Sequence, residues 1–99
     1  MDAPDVWVAA DDGRAIARAA AIAWVDIDDQ GSVTAGLGHA GGDPVTLVHP
    51  GSESAAHPVG DFHRQLIRVI AQLSDASGAF LVRPAHDEVR GWQWLTEPL

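Results

Sequence analysis

The segment from Asp61 to Ala76 sorts its apolar and polar residues with a helical period. When successive positions are rotated by about 100°, apolar side chains fill one arc and polar side chains fill the opposite arc. The apolar arc consists of Phe62, Leu66, Ile67, Val69, Ile70 and Leu73. Asp61 is a candidate N-cap and Gly78 is a candidate stop signal. The pattern therefore predicts one amphipathic helix over about residues 61–76.

Shorter runs before the helix alternate apolar and polar residues, which is typical of strands. Residues 33–37 alternate in this way, and residues 45–48 form a second run that we expect to pair with the first. Turn-forming residues at 28–31 follow a further apolar run over residues 20–27. The three runs together predict a three-stranded meander.

The first residues of the chain predict an additional hairpin. Asp5 to Ala10 reads as one arm, and the Asp12-Gly13 turn leads the chain into residues 14–18 as the other arm. Two interpretations are open for residues 14–24, because their many alanines favour a helix. We favour strand, since the segment lies between two turn signals and ends in a β-branched and aromatic cluster.

Two strands are expected after the helix. Residues 79–82 are continuously apolar, as in a central strand, and Pro84 is expected to end that strand. Residues 91–95 predict an edge strand with Trp92 and Trp94 on one face.

These elements predict an α+β fold in which one antiparallel sheet packs on the single helix. About four or five strands precede the helix and one or two follow it. The 99 residues are expected to form a single domain, residues 1–99. Hydrophobic residues make up 46% and charged residues 20% of the chain, which is ordinary for a globular protein and unlike a disordered one.

Charge and cysteine content exclude several classes of function. The formal net charge is −8, and the six basic residues are all arginine, so the average field repels nucleic acid and anionic lipid. The absence of cysteine excludes disulfides and thiolate metal sites and is compatible with a reducing compartment. The longest apolar run, residues 19–25, is too short to cross a bilayer, and the first residues do not resemble a secretory signal. We expect a cytoplasmic protein that binds neither nucleic acid nor membranes.

Two literal motif matches lack the context that their chemistry requires. Residues 36–41 read G-x-G-x-x-G, but they lead into a short β run instead of opening a helix toward a pyrophosphate. Residues 26–31 resemble the start of a calcium loop, but Leu37 stands where the bidentate glutamate belongs. A glycine-rich β connection and a hairpin turn are the better interpretations, and no cofactor is expected.

Three histidines support a metal-binding hypothesis. His49, His57 and His63, together with Asp61, fall within a short stretch that would bring imidazoles and a carboxylate around Zn²⁺. Their spacing matches no known motif. His63 also projects onto the apolar arc of the helix, where a partly buried, neutral imidazole bonded to a backbone carbonyl is the alternative. A metal-binding or small-ligand protein that uses residues 49–63 is thus the second functional hypothesis.

The leading hypothesis is a non-enzymatic protein-interaction module, with self-association into a homodimer included. The chain has four tryptophans, and Trp92 and Trp94 with Arg90 would form a partner-binding strip, because Trp and Arg dominate binding hot spots. An exposed sheet edge is the other candidate surface. The alternative, which we favour for the two indoles, is that both cover the sheet beneath the helix.

An enzyme is the third hypothesis. His86, Asp87 and Glu88 offer a base and two acids, but adjacent residues on a loop point apart. No serine lies in a nucleophile motif. The sequence therefore predicts no catalytic residue.

Overall fold

The computed structural model describes residues 5–29, 31–38, 43–49, 61–76, 78–87, 89 and 91–99. In these ranges the chain forms seven strands in two sheets and one α-helix. The predicted α+β class is confirmed, as is the placement of five strands before the helix and two after it. The single sheet of the prediction is divided into two.

The strands, in chain order, are β1 (Asp5–Ala9), β2 (Ile16–Arg18), β3 (Ile22–Ile27), β4 (Val33–Leu37), β5 (Val45–Val48), β6 (Ala79–Asp87) and β7 (Gly91–Pro98). The helix, α1, spans Phe62–Leu73. A 3-10 turn at Ala19–Ala21 separates β2 from β3, so residues 14–24 are mainly extended with one helical turn between the strands. The favoured strand interpretation is thus right, except at the alanine run.

The two sheets differ in how far apart their strands lie in sequence. The three-stranded sheet, ordered β3-β4-β5, is the antiparallel meander that the alternation predicts. The four-stranded sheet, ordered β2-β1-β6-β7, contains the predicted β1–β2 hairpin, but β1 pairs with β6 in parallel. A parallel pair needs a long crossover connection, which here includes the other sheet and the helix.

Pro84 does not end β6, which continues to Asp87. Pairing with β1 stops at Val82, so one side of β6 has no partner strand from Arg83 onward among the described residues. Proline is tolerated at such an edge because no ladder hydrogen bond is lost there. The extension pairs with the start of β7, from Gly91 opposite Asp87 to Gln93 opposite Ala85, and β7 then continues to Pro98, opposite Phe80.

The ends of α1 also differ from the predicted chemistry. The Asp61 side chain makes no capping hydrogen bond, and its Oδ1 instead accepts a hydrogen bond of 3.0 Å from Gln65 Nε2. Ser74 ends the helix, since both its backbone N–H and its hydroxyl donate to Ala71 O. Gly78, with φ of 103°, leads into β6 and is not the helix stop.

No helix in the described part of the chain is long and apolar enough to span a bilayer.

The core lies where the helix meets the inner faces of both sheets. Phe62 and Leu66 of α1 are fully buried, and Ile70 and Leu73 pack against the same cluster. The strands contribute Val6, Val8, Val33, Ala35, Leu47, Val48, Val82 and Trp94. The predicted packing of the helix on a β layer is therefore confirmed, with β6 and β7 as additional members of that layer.

Candidate functional site

The structure places Trp92 and Trp94 beneath the helix. Trp94 is 8% exposed, its ring stacks on Phe62 with centroids 4.6 Å apart, and its Nε1 donates to Phe62 O over 2.8 Å. Trp92 is half-buried, and its ring lies 5.9 Å from that of Phe62 and 5.4 Å from that of His86. Arg90 lies outside the described residues. Trp94 thus has no free surface to offer, and it does not enter the candidate site.

The three histidines of the metal hypothesis do not come together in the described residues. His57 lies outside them. His63 is half-buried on α1, and its Nδ1 is buried with no hydrogen-bond partner in the described ranges. The backbone carbonyl expected to satisfy His63 is therefore not found at Nδ1 among the described residues.

His49 instead contacts two aspartates of the β1–β2 turn. Its backbone N–H donates to Asp11 Oδ2 over 2.9 Å, and its Nδ1 lies 2.6 Å from Asp11 Oδ1. Asp11 N–H in turn donates to Leu47 O, which joins the turn to the end of β5. His49 Nε2 lies 4.0 Å from Asp12 Oδ2, and all three residues are exposed. Sequence reasoning missed this cluster because Asp11 precedes His49 by 38 positions.

The two literal motifs have structural roles. Gly36 lies in β4 opposite Trp24, and a Cβ at Gly36 would overlap the Trp24 indole, so close packing accounts for this glycine. Asp28 Oδ1 accepts the Ser32 N–H over 2.9 Å within the β3–β4 turn, where Gly31 has φ of 81°. These contacts are those of a hairpin turn and a strand. Residues 39–42 lie outside the described ranges.

The side of the four-stranded sheet that faces away from α1 is here named the outer face. In β1, Val6 and Val8 are buried toward the helix, whereas Asp5 and Trp7 alternate to the other side. Residues paired directly across strands share a face, and the register aligns Arg18, Trp7, Leu81 and Glu97 across all four strands. The same alternation and register assign to the outer face buried Ala9 together with Ile16, Ala79, Arg83, Ala85, Gln93 and Leu95, and Leu99 follows β7 in phase with them.

Half of the most exposed large apolar side chains lie on the outer face. Among the described residues, the large apolar side chains with high exposure are Ile16, Trp24, Ile67, Val89, Leu95 and Leu99. Three of the six, namely Ile16, Leu95 and Leu99, belong to the outer face, where half-buried Trp7 and Leu81 lie between them. Single exposed apolar residues are ordinary, whereas a cluster rimmed by polar groups is typical of a contact surface.

Two ion pairs cross the outer face without adding net charge. Arg18 Nε lies 3.4 Å from Asp5 Oδ1, and the Arg18 guanidinium lies 4.8 Å from the Trp7 ring centroid. Arg83 Nε donates to Glu97 Oε1 over 3.2 Å. Both pairs are cross-strand neighbours held by the sheet register. Locally balanced charge is unusual in a chain of net charge −8, so repulsion between copies is weakest at this surface.

Comparison of this chain with protein-family models, with curated proteins and with solved structures finds no match. The interpretation of the outer face therefore rests on its own geometry. The signal that sequence reasoning passed over is the alternation in β1, where small aliphatic residues face one side and Asp5 and Trp7 face the other.

Proposed function

We propose that the chain is a non-enzymatic interaction module that self-associates into a homodimer through the outer face. The observation that carries this proposal is the group of exposed apolar side chains, Ile16, Leu95 and Leu99, on the side of the four-stranded sheet that α1 does not cover. Removing such surface from water favours association. The proposal includes a cytoplasmic location, which rests on composition.

The charge pattern of the outer face supports a second copy of this chain as its binding partner. Each outer face carries Arg18 beside Asp5 and Arg83 beside Glu97. Two copies related by a two-fold axis present the same surface to each other, so each arginine can meet a carboxylate of the other copy. A strongly basic or strongly acidic partner would find no matching excess of charge on this surface.

The size of the outer face indicates a weak dimer. Four strands spaced about 4.8 Å apart give, with their side chains, a face about 20 Å wide. The area that two such faces bury falls near the lower end of the roughly 1,200–2,000 Å² typical of specific interfaces. Small interfaces are typical of weak, transient association, so we expect a dimer that dissociates on dilution.

Two isoleucines provide a matched test. Ile16 on the outer face is 53% exposed and Ile67 on α1 is 52% exposed, so a glutamate at either position should be equally tolerated by the fold. Sedimentation equilibrium over a wide concentration range measures the mass of wild type, Ile16→Glu and Ile67→Glu. We expect wild type and Ile67→Glu to dimerise with the same constant, and Ile16→Glu to stay monomeric.

Two results would overturn the dimer proposal. The first is a wild-type chain that is monomeric at every concentration. The second is an equal loss of association in Ile16→Glu and Ile67→Glu, which would assign the dimer to no particular face. Leu95→Glu gives an independent check on the β7 side of the outer face and should behave as Ile16→Glu.

Metal-ion binding is a second candidate, favoured by the geometry of His49. Asp11 holds the Nδ1 side of the imidazole, which is the arrangement that orients a histidine so that Nε2 can bind a metal, and Asp12 Oδ2 lies on that side. Zn²⁺ should then raise the melting temperature of wild type. His49→Gln and Asp12→Asn should abolish that rise, whereas His86→Gln and Asp29→Asn, equally exposed controls, should preserve it. An unchanged wild-type melting temperature would eliminate this candidate.

A further inference from the structure

A cavity of about 530 Å³ lies between the last turns of α1 and the first strands of the chain. Val6, Ala19 and Ile70 form apolar walls, and Asp5, Arg18 and Ser74 contribute polar groups. Val6 is buried, whereas the Asp5 and Arg18 side chains are 45% and 56% exposed, so the charged groups lie toward solvent. The volume is within the range of small-molecule sites, about 300–1,000 Å³.

We propose that this cavity binds a zwitterionic amino acid with an apolar side chain. The ligand carboxylate would contact the Arg18 guanidinium, its ammonium would contact Asp5, and its side chain would enter between Val6 and Ile70. Each of the three ligand groups thus has a partner of matching chemistry. The Asp5–Arg18 ion pair belongs both to this cavity and to the outer face, so the ligand and a second copy would compete for it.

Arg18 has donors available for a carboxylate. Its Nε lies 3.4 Å from Asp5 Oδ1, and its guanidinium lies over Trp7. These contacts involve Nε and the face of the guanidinium. Paired N–H donors of a guanidinium match a carboxylate in a bidentate geometry, so a carboxylate ligand is accommodated without displacing Trp7.

The Asp5–Arg18 ion pair forms the rim of the cavity, and this rim favours a ligand that carries both charges. A simple anion approaching Arg18 would also meet Asp5 and the negative field of a chain of net charge −8. A simple cation at Asp5 would meet Arg18. A zwitterion has no net charge, so it avoids both penalties, and an exposed ion pair such as Asp5–Arg18 is weak enough to open around it.

Titration of the full-length wild-type chain with three ligands tests this selection. L-leucine carries both charges, 4-methylpentanoate lacks the ammonium group, and 3-methylbutylamine lacks the carboxylate. Two-dimensional ¹H–¹⁵N NMR follows the backbone amides that line the cavity. We expect saturable binding of leucine and at least about tenfold weaker binding of both analogues, because each leaves one rim charge unmatched.

Variants at the rim locate the binding. Arg18→Gln and Asp5→Asn should each weaken leucine binding by about tenfold or more. Arg68→Gln removes an arginine from the exposed side of α1, which belongs neither to the cavity nor to the outer face, and should leave the leucine affinity unchanged. Ile70→Trp fills the cavity and should abolish binding while the circular dichroism spectrum shows a folded chain.

Three outcomes would overturn the proposal. One is the absence of saturable binding for leucine and also for valine and phenylalanine, which are titrated in the same way. Another is equal binding of leucine and 4-methylpentanoate, which would make the site a simple anion site. The third is an equal loss of affinity in Arg18→Gln and Arg68→Gln. The ligand titrations use wild type alone, so they test the amino-acid site even if a variant fails to fold. Sedimentation of the same samples shows separately whether the dimer is present.

Discussion

Replacing Trp94 by alanine removes the side chain that joins β7 to the start of α1. Trp94 is 8% exposed, stacks on Phe62 and donates to the Phe62 carbonyl. Truncating a buried aromatic residue costs about 3–5 kcal/mol. Within that loss, the ring stack accounts for about 0.5–1.5 kcal/mol and the hydrogen bond for about 1 kcal/mol. Trp94→Phe keeps a stacked ring but loses the donor, so it should cost about 1–2 kcal/mol.

Trp24→Ala is the matched control. The Trp24 ring lies over Gly36 and is 47% exposed, so its truncation removes a cross-strand contact worth about 1 kcal/mol or less. Urea denaturation followed by far-ultraviolet circular dichroism gives the free energy of unfolding, because fluorescence would change with the tryptophans themselves. The order of loss should be Trp94→Ala, then Trp94→Phe, then Trp24→Ala. A loss for Trp94→Ala no larger than for Trp24→Ala would refute the burial of β7 beneath the helix.

The same denaturation assay checks two further pairs. Leu66→Ala should cost about 2–5 kcal/mol, because Leu66 is 0% exposed, whereas Arg68→Ala on the exposed side of α1 should cost less than about 1 kcal/mol; equal costs would mean that the helix is rotated. Gly36→Ala should destabilise wild type, because the added Cβ overlaps the Trp24 ring, but should be nearly neutral in a Trp24→Ala background. Additive losses in the double variant would contradict that overlap.

Local patterns predicted most of the elements. The helix follows from the apolar arc around Leu66, and the meander follows from alternation between turn residues, because both signals lie within a few positions of each other in sequence. The parallel pairing of β1 with β6 and the division into two sheets have no such signal. They depend on which apolar faces meet across most of the chain, and alternation within a strand does not specify its distant partner.

The candidate surface was harder to predict for the same reason. Alternation shows that Trp92 and Trp94 share a face, but not that the helix covers that face. Trp7 lies in a strand of similar pattern, but on the face that the helix does not cover. The contact between His49 and Asp11 needs the turn after β1 to meet the end of β5. The sequence shows which side chains are present, whereas the fold determines which distant strands lie side by side.

The indole N–H signals of wild type test the central proposal most directly. A soluble paramagnetic agent broadens NMR signals of exposed protons, and the broadening of each tryptophan is compared between dilute and concentrated protein. Dimerisation through the outer face predicts that Trp7 becomes protected at high concentration, while Trp24 stays exposed and Trp94, hydrogen-bonded inside the core, stays protected throughout. Equal broadening of Trp7 at all concentrations, or protection of Trp24 instead, would contradict the proposed interface.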